Sequence, residues 1–376
     1  MKTIIQAFMG MAFSMMPFEA TAFDFSQEKT ESNQENATFP NVNKYYRLRS
    51  GRGFYLTVSR TNASTVNVKG LTLDNNNAAQ IWSFTASEEG KYKLTAQNRS
   101  LKTPPDPAGG KGQMVVATDE DKIGAGDFVI SQNAQSKYII GATDGETKDK
   151  LHETDSHDIV GWGKYPIGSQ WDIIEATSIE VTVSAAQYAT INYPFAVSLP
   201  EGLKAYTGKA EKSGERNVFV LNEVPDGIVP ANTPVVLQGE AKTYTLTIND
   251  KNTQGISSIT ENDLSGIYLN QAIASDKEAF ILGQKNEGVG FYKMNTTDRN
   301  LASNKAYLLG EKLQPGVANA NAFVFSFSDN SGETTGIEES VAETATEEYF
   351  DLQGRRVMNP TKGIFLTKSG KKVLFY

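Results

Sequence analysis

A threefold recurrence in the first half of the chain constrains its fold more than any other feature. One unit runs from Tyr45 to Phe84 and closes on Gln80-x-Trp82. Another runs from Lys137 to Ile174 and closes on Gln170-Trp171-x-Ile173. Between them, Lys91 to Ile130 is of similar length and closes on Asp127-Phe-Val-Ile130, without a tryptophan. Each unit consists of short alternating stretches joined at glycine-bearing turns. In Lys44-Tyr-Tyr-Arg-Leu-Arg49 the alternation puts Tyr46 and Leu48 on one face and Tyr45, Arg47 and Arg49 on the other, as a half-buried strand requires. A recurrence of this kind means one supersecondary unit used several times, each copy unable to bury its apolar face alone.

Three units of about forty residues match a β-trefoil, in which each unit gives four strands to a barrel capped by hairpins. Residues 44–177 resemble the ricin-type trefoil lectins, whose units end in Gln-x-Trp. The resemblance implies that the Trp fills the pseudo-threefold core, that the Gln ties backbone across the unit, and that the fold binds carbohydrate. The match departs from the family in three places. The second unit lacks the motif, the third has Gln and Trp adjacent, and the aspartate that such lectins place early in a unit is not evident. Asp74 is the only acid of the first unit, and Asp144 in the third follows Gly141-Ala-Thr.

From Ser178 to residue 330 the texture changes to strand-like runs at regular spacing. These include Ile179–Val183, Tyr188–Pro194, Asn217–Leu221, Tyr244–Ile248, Lys305–Leu309 and Ala322–Phe327. About ten strands with turns between them argue a β-sandwich. Val289-Gly-Phe-Tyr-Lys293 should pair with Phe280-Ile-Leu282 through Lys285-Asn-Glu-Gly288 as a hairpin. The stretch also resembles a module recurrent in secreted bacterial proteins, through Ile228-x-Pro-Ala-Asn-Thr-Pro-Val-Val-Leu237, Gly290-Phe-Tyr292 and Asn304-Lys-Ala-Tyr307. No activity follows from that likeness. The expected fold class is therefore all-β: an N-terminal β-trefoil-like domain, a β-sandwich and a short C-terminal β tail.

Both ends read as addresses. Met1-Lys2, the apolar Ile4–Phe18 and Ala20-Thr-Ala22 give residues 1–22 the pattern of a signal peptide, followed by a flexible lead-in at 23–43. An acidic linker at 331–348 precedes residues 349–376, three short apolar strands with Gln-Gly, Asn-Pro and Ser-Gly turns. Asp351-Leu-Gln-Gly-Arg-Arg356 and Lys362-Gly-Ile364 resemble the C-terminal sorting module of the type IX (Por) secretion system of Gram-negative bacteria. The resemblance implies secretion or an outer-surface location, with the secretion machinery as a partner of the tail. The chain has no cysteine, so an exported core would hold by burial without disulfides. Its net charge is −8 and nothing basic clusters to track phosphates, which argues against nucleic acid. No run is long enough for a spanning helix, so an integral membrane protein is not expected.

The search for catalytic chemistry finds little. The two histidines lie in Leu151-His-Glu-Thr-Asp-Ser-His-Asp158, where they could chelate a metal or move a proton; a solvated loop explains the run as well. No nucleophile elbow or His-Glu-x-x-His motif occurs. Carboxylates such as Glu201, Glu223 and Asp226 could pair for glycoside hydrolysis, but 44 acids also make an ordinary solubilising surface. Gly51-Arg-Gly53 and Gly109-Gly110-Lys-Gly112 read as turns. No catalytic residue, metal or cofactor is expected.

Binding is better supported. Sugar sites in β folds set an aromatic ring against the apolar sugar face and add Asp, Asn or Gln for the hydroxyls. Trp162, between two glycines and near Tyr165-Pro166, reads as a loop residue, whereas Trp82 and Trp171 read as core. The candidate ligand site is Trp162 and Tyr165 with Asp144; the alternative is a hydrophobic plug under a long loop. The expectation is a non-catalytic, secreted or surface protein whose partner is a glycan or surface polysaccharide. Two other readings stay open: an adhesin or structural protein binding a host or matrix protein, and a secreted glycan hydrolase.

Overall fold

The computed structural model describes residues 40–60, 66–104, 115–119, 125–259, 261–295, 297–317 and 320–327, and in the tail 349–350, 356–357, 363–367 and 372–375. The expected signal peptide, the lead-in up to residue 39, the linker at 331–348, Gly109-Gly110-Lys-Gly112 and residues 351–355 lie outside the described residues. The chain forms two compact units, divided between Ser326 and Phe327. Among the described residues the helical elements are single 3-10 turns, such as Ala78–Gln80 and Ile167–Ser169; all else regular is strand.

The first twelve strands fall into three groups of four. The first group is β1 (Tyr45–Ser50), β2 (Tyr55–Arg60), β3 (Val66–Leu71) and β4 (Trp82–Ala86). The second is β5 (Lys91–Ala96), β6 (Arg99–Leu101), β7 (Ala117–Asp119) and β8 (Phe128–Gln132). The third is β9 (Tyr138–Gly141), β10 (Lys150–Glu153), β11 (Ile159–Trp162) and β12 (Trp171–Glu175). The first and fourth strands of the groups pair in a closed antiparallel ring, β1-β4-β5-β8-β9-β12 and back to β1. The middle two strands of each group form a hairpin. A six-stranded barrel with three hairpins is a β-trefoil.

Register shows why these residues close a barrel. In every unit a first-strand tyrosine lies opposite the fourth-strand aromatic: Tyr46 opposite Trp82, Tyr92 opposite Phe128, Tyr138 opposite Trp171. Two residues beyond each tyrosine, on the same strand face, Leu48, Leu94 and Ile140 are wholly buried, as are the three opposing aromatics. The Trp82 indole N–H donates to the Leu56 carbonyl at 2.8 Å and that of Trp171 to the Leu151 carbonyl at 2.9 Å. Phe128 has no such donor. In its unit the backbone N–H of Gly126 reaches the Leu101 carbonyl at 2.8 Å, so this buried acceptor is still satisfied.

Gln80 is fully buried and ties its unit together. Its amide nitrogen donates to the Thr72 carbonyl (2.8 Å) and to Thr57 Oγ1 (3.2 Å), while its oxygen accepts from the Asp74 N–H (3.1 Å). In the third unit the position two before the tryptophan is Ser169. Its hydroxyl donates to the Gly163 carbonyl at 2.7 Å and lies 2.8 Å from His152 Nδ1. Gln170 is thus not a displaced copy of Gln80; a serine and a histidine together take that role.

The following strands are β13 (Ser178–Thr182), β14 (Tyr188–Ile191), β15 (Val197–Ser198), β16 (Leu203–Ser213), β17 (Arg216–Glu223), β18 (Ile228–Val229), β19 (Val235–Gly239) and β20 (Thr243–Ile248). Then come β21 (Leu264–Gly266), β22 (Gln271–Ala272), β23 (Ala279–Lys285), β24 (Gly288–Lys293), β25 (Asn300–Leu301), β26 (Ala306–Leu309) and β27 (Ala322–Phe327). A sheet ordered β13-β20-β15-β18 packs on β14, β19 and β16 of a second sheet ordered β14-β19-β16-β17-β27-β24-β23-β26-β21. This is the expected β-sandwich, with an addition. The long sheet curls so that β16 approaches β21, enclosing a second core around Phe219, Phe280, Phe291 and Phe323. Strands β16 and β19 serve both cores: Ala205, Val235 and Leu237 face one, Tyr206 and Val236 the other. The β23–β24 hairpin forms in the expected register, with Gly288 at φ 124° closing its turn.

Trefoil and sandwich share apolar contacts. Tyr45, Ala78, Ile81 and Ala176 pack into the sandwich core, and Leu269 into the trefoil core. The Gln97 and Asn304 amides also join the two parts, bonding each other in both directions, at 3.4 and 2.9 Å.

The second unit contains β28 (Tyr349–Phe350), β29 (Arg356–Val357), β30 (Gly363–Thr367) and β31 (Lys372–Phe375), ordered β29-β28-β30-β31. Three strands were expected, and four are present among the described residues. Tyr349–Phe350 and Arg356–Val357 pair with each other in antiparallel fashion, so they cannot be one strand. Among the described residues no helix is long and apolar enough to cross a membrane.

Candidate functional site

The third trefoil unit carries two facing loops, residues 142–149 between β9 and β10 and residues 163–166 after β11. They meet through two polar contacts. Lys164 Nζ donates to the Asp144 carbonyl at 3.1 Å and lies 3.5 Å from its carboxylate. The Tyr165 hydroxyl donates to the Glu146 carboxylate. Asp144 is exposed, and its carboxyl is held below the usual range first by a hydrogen bond from Ser131 and then by the Lys164 charge. Tyr165 is 68% exposed, and its bond to Glu146 pushes its phenol up.

Trp162 is not on a loop as expected. The β10–β11 hairpin runs through Lys150 opposite Trp162, so the tryptophan is the last residue of a strand and is half-buried. Its ring lies 5.8 Å from the His152 ring at 33°. Gly161 does not loosen this strand; a Cβ there would come within 2.6 Å of Pro104 and 2.9 Å of the Lys148 carbonyl. The structure thus joins Asp144 and Tyr165 through the facing loops, with Trp162 on the strand that feeds one of them. Sequence reading missed Glu146 and Lys164, which make the two junctions.

The 142–149 loop is fixed from within. Asp149 and Lys150 form a wholly buried ion pair. The Asp149 carboxylate also accepts the Thr143 N–H at 2.6 Å and the Thr147 hydroxyl at 2.7 Å, fastening both ends of the loop. Burial pushes the Asp149 carboxyl up, but the bonds from Lys150, Thr147 and Thr143 together outweigh it and hold it down. Gly141 makes room: a Cβ would sit 2.4 Å from Lys150 Cδ.

Residues 151–158 are not a solvated loop throughout. His152 is buried within β10, and burial, followed by the Arg52 charge, lowers its pKa. His157 sits at φ 63° in the turn, its ring 3.8 Å from that of Phe54 and its Nδ1 2.6 Å from Glu153 Oε1. Glu153 is fully buried and accepts the Ser50 hydroxyl at 2.7 Å. Ser50 therefore directs its proton at a carboxylate and not at an imidazole, which is not a nucleophile–base pair. Among the described residues no group of His, Asp or Glu is arranged to hold a metal ion. Of the carboxylates considered for hydrolysis, Glu223 is engaged with Lys204 at 2.9 Å.

No protein-family model matches the chain, and no curated protein matches it. Solved structures similar to it include the designed threefold protein ThreeFoil, at 18% identity and TM-score 0.30, over 35% of this chain and 99% of that one. A Polyporus squamosus lectin, solved with the epitope Neu5Aca2-6Galb1-4GlcNAc, is similar at 14% identity and TM-score 0.30, over 37% of this chain and 50% of that one. The BEL β-trefoil is similar at 14% identity and TM-score 0.29, over 37% and 99%. The trefoil itself rests on the closed strand pairing and threefold register described above. The fold defines the chain as an all-β protein built from a β-trefoil, a β-sandwich and a small β tail.

Proposed function

We propose that this is a secreted or surface-attached, non-catalytic glycan-binding protein of a Gram-negative bacterium. In this reading the third trefoil unit holds the sugar and the tail engages the secretion machinery. The observation that carries the sugar site is the Tyr165 ring, two-thirds exposed yet held in place through its hydroxyl by Glu146. A held, exposed aromatic can stack on the apolar face of a sugar without losing much side-chain entropy on binding. Asp144, Glu146 and Lys164 supply acceptors and a donor at its edge for hydroxyl groups, and the buried Asp149–Lys150 pair preorganises the loop that carries two of them. Trp162 supports the strand end that presents the 163–166 loop.

Affinity gel electrophoresis of the full chain against a panel of soluble polysaccharides tests the reading. Tyr165→Ala should remove retardation in at least one gel while leaving the thermal midpoint unchanged, because the ring is outside the core. Trp162→Ala should weaken retardation. Unchanged retardation in the Tyr165 variant would place the sugar elsewhere.

A further inference from the structure

A polar cleft of about 210 Å³ opens where the trefoil meets the sandwich, far in sequence from the third-unit loops. Tyr45, Thr85, Gln97 and Asn98 line it from the trefoil, and Asn232 and Lys251 from the sandwich side. Ile81 and Phe195, both buried in the sandwich core, also line it, with Ala96 and Pro194. Most of the exposed lining is nevertheless polar, made of hydroxyls, amides and one ammonium.

Its walls are fixed across the seam. The Asn98 amide donates to Asn232 Oδ1 at 2.8 Å, and the Tyr268 hydroxyl donates to the same oxygen at 2.8 Å. Lys251 Nζ donates to the Phe84 carbonyl at 3.0 Å and stands 5.8 Å from the centre of the Tyr45 ring. The buried Gln97–Asn304 pair anchors the turn that carries Asn98. Tyr45 packs against Phe195 with ring centres 5.4 Å apart, and burial, then the Asp250 charge, pushes its phenol up to about 12, so it stays protonated. The site is thus preformed, which limits the ordering cost of binding.

Size and charge narrow the occupant. Drug-sized ligands occupy pockets of roughly 300–1,000 Å³, so a smaller cleft suits a single ring. The polar lining favours a ring with several hydroxyls over an apolar one. The described lining residues include the ammonium of Lys251 and no carboxylate; the Asp250 carboxylate acts on Tyr45 from outside the lining. We propose that this cleft is a second binding site, distinct from the third-unit loops, that takes one sugar ring bearing a carboxylate, with Lys251 meeting the acid and the Asn98, Asn232 and Thr85 side chains meeting hydroxyls.

Saturation-transfer NMR on the full chain tests it, with D-glucuronate and N-acetylneuraminate as probes and D-glucose as the neutral control. At least one acidic sugar should receive saturation in the parent chain and in Tyr165→Ala. Thr85→Phe, which puts a ring into the cleft from an exposed strand position, should abolish that signal. Lys251→Met should weaken the acidic sugar at least tenfold and bring it level with glucose. A folded parent chain that transfers to neither acid overturns the proposal, as does a signal that survives Thr85→Phe. If the signal is lost in Tyr165→Ala alone, the sugar sits on the third-unit loops: the cleft proposal fails while the trefoil reading stands.

Discussion

Asp149 shows how one side chain can hold a loop at both ends. It sits with Lys150 out of water, and removing one member of a buried ion pair usually costs about 3–5 kcal/mol because the other charge is left uncompensated. Asp149→Ala should therefore lower stability by that order in urea denaturation, and should also weaken saccharide binding by loosening residues 142–149. His152 makes a separate prediction. Its imidazole titrates below its ordinary 6.5 because it is buried, so near that pH the unfolded chain binds more protons than the folded one. Stability should be fully present above about pH 6.5 and fall as the pH drops through the lowered folded value. Urea midpoints at about pH 7.5 and 5.5 should differ in that direction, and His152→Gln should reduce the difference.

At the same scale, the core was more legible than the site. Trp82 and Trp171 were identifiable as core from their place at unit ends. Tyr46, Tyr92 and Tyr138 recur at equal intervals, each followed two residues later by Leu48, Leu94 or Ile140, and this is the strongest threefold signal in the sequence. Gln-x-Trp marks the last strand of a unit, whereas the period is kept most strictly by the first. The loop position expected for Trp162 came from its flanking glycines. Gly161 is there for close approach to Pro104, which a sequence cannot distinguish from a turn glycine.

Elements explain what residues alone do not. The continuous apolar run Val235-Val-Leu237 breaks strict alternation because β19 is buried on both faces, as is β16. A simple sandwich predicts one buried face per strand, so the second core was invisible to an alternation count. The β5–β6 hairpin is the most informative single element. Its two-residue turn, Gln97 and Asn98, has both φ near +54° and projects both amides to the sandwich. Gln97→Asn keeps a residue tolerant of that backbone while withdrawing the amide from Asn304. The loss should be about 1–3 kcal/mol for a buried polar group left unpaired. In scanning calorimetry it should broaden or split the unfolding of trefoil and sandwich; an unchanged single transition would mean the apolar seam alone couples them.

For the whole molecule, the all-β class and its order of trefoil, sandwich and tail were readable from the units, the alternation and the turns. The joining of trefoil to sandwich through a shared core and an open polar cleft was not, because it depends on contacts between residues far apart in the chain, such as Asn98 with Asn232 and Lys251 with Phe84. Under the proposed function, the held Tyr165 ring on the facing loop pair is where the glycan docks. The most direct test is a glycan array probed with the full chain and with Tyr165→Ala. Binding by the parent chain that is lost in a folded variant is the predicted result. A blank array from a folded parent chain, or binding unaffected by the substitution, would contradict the account.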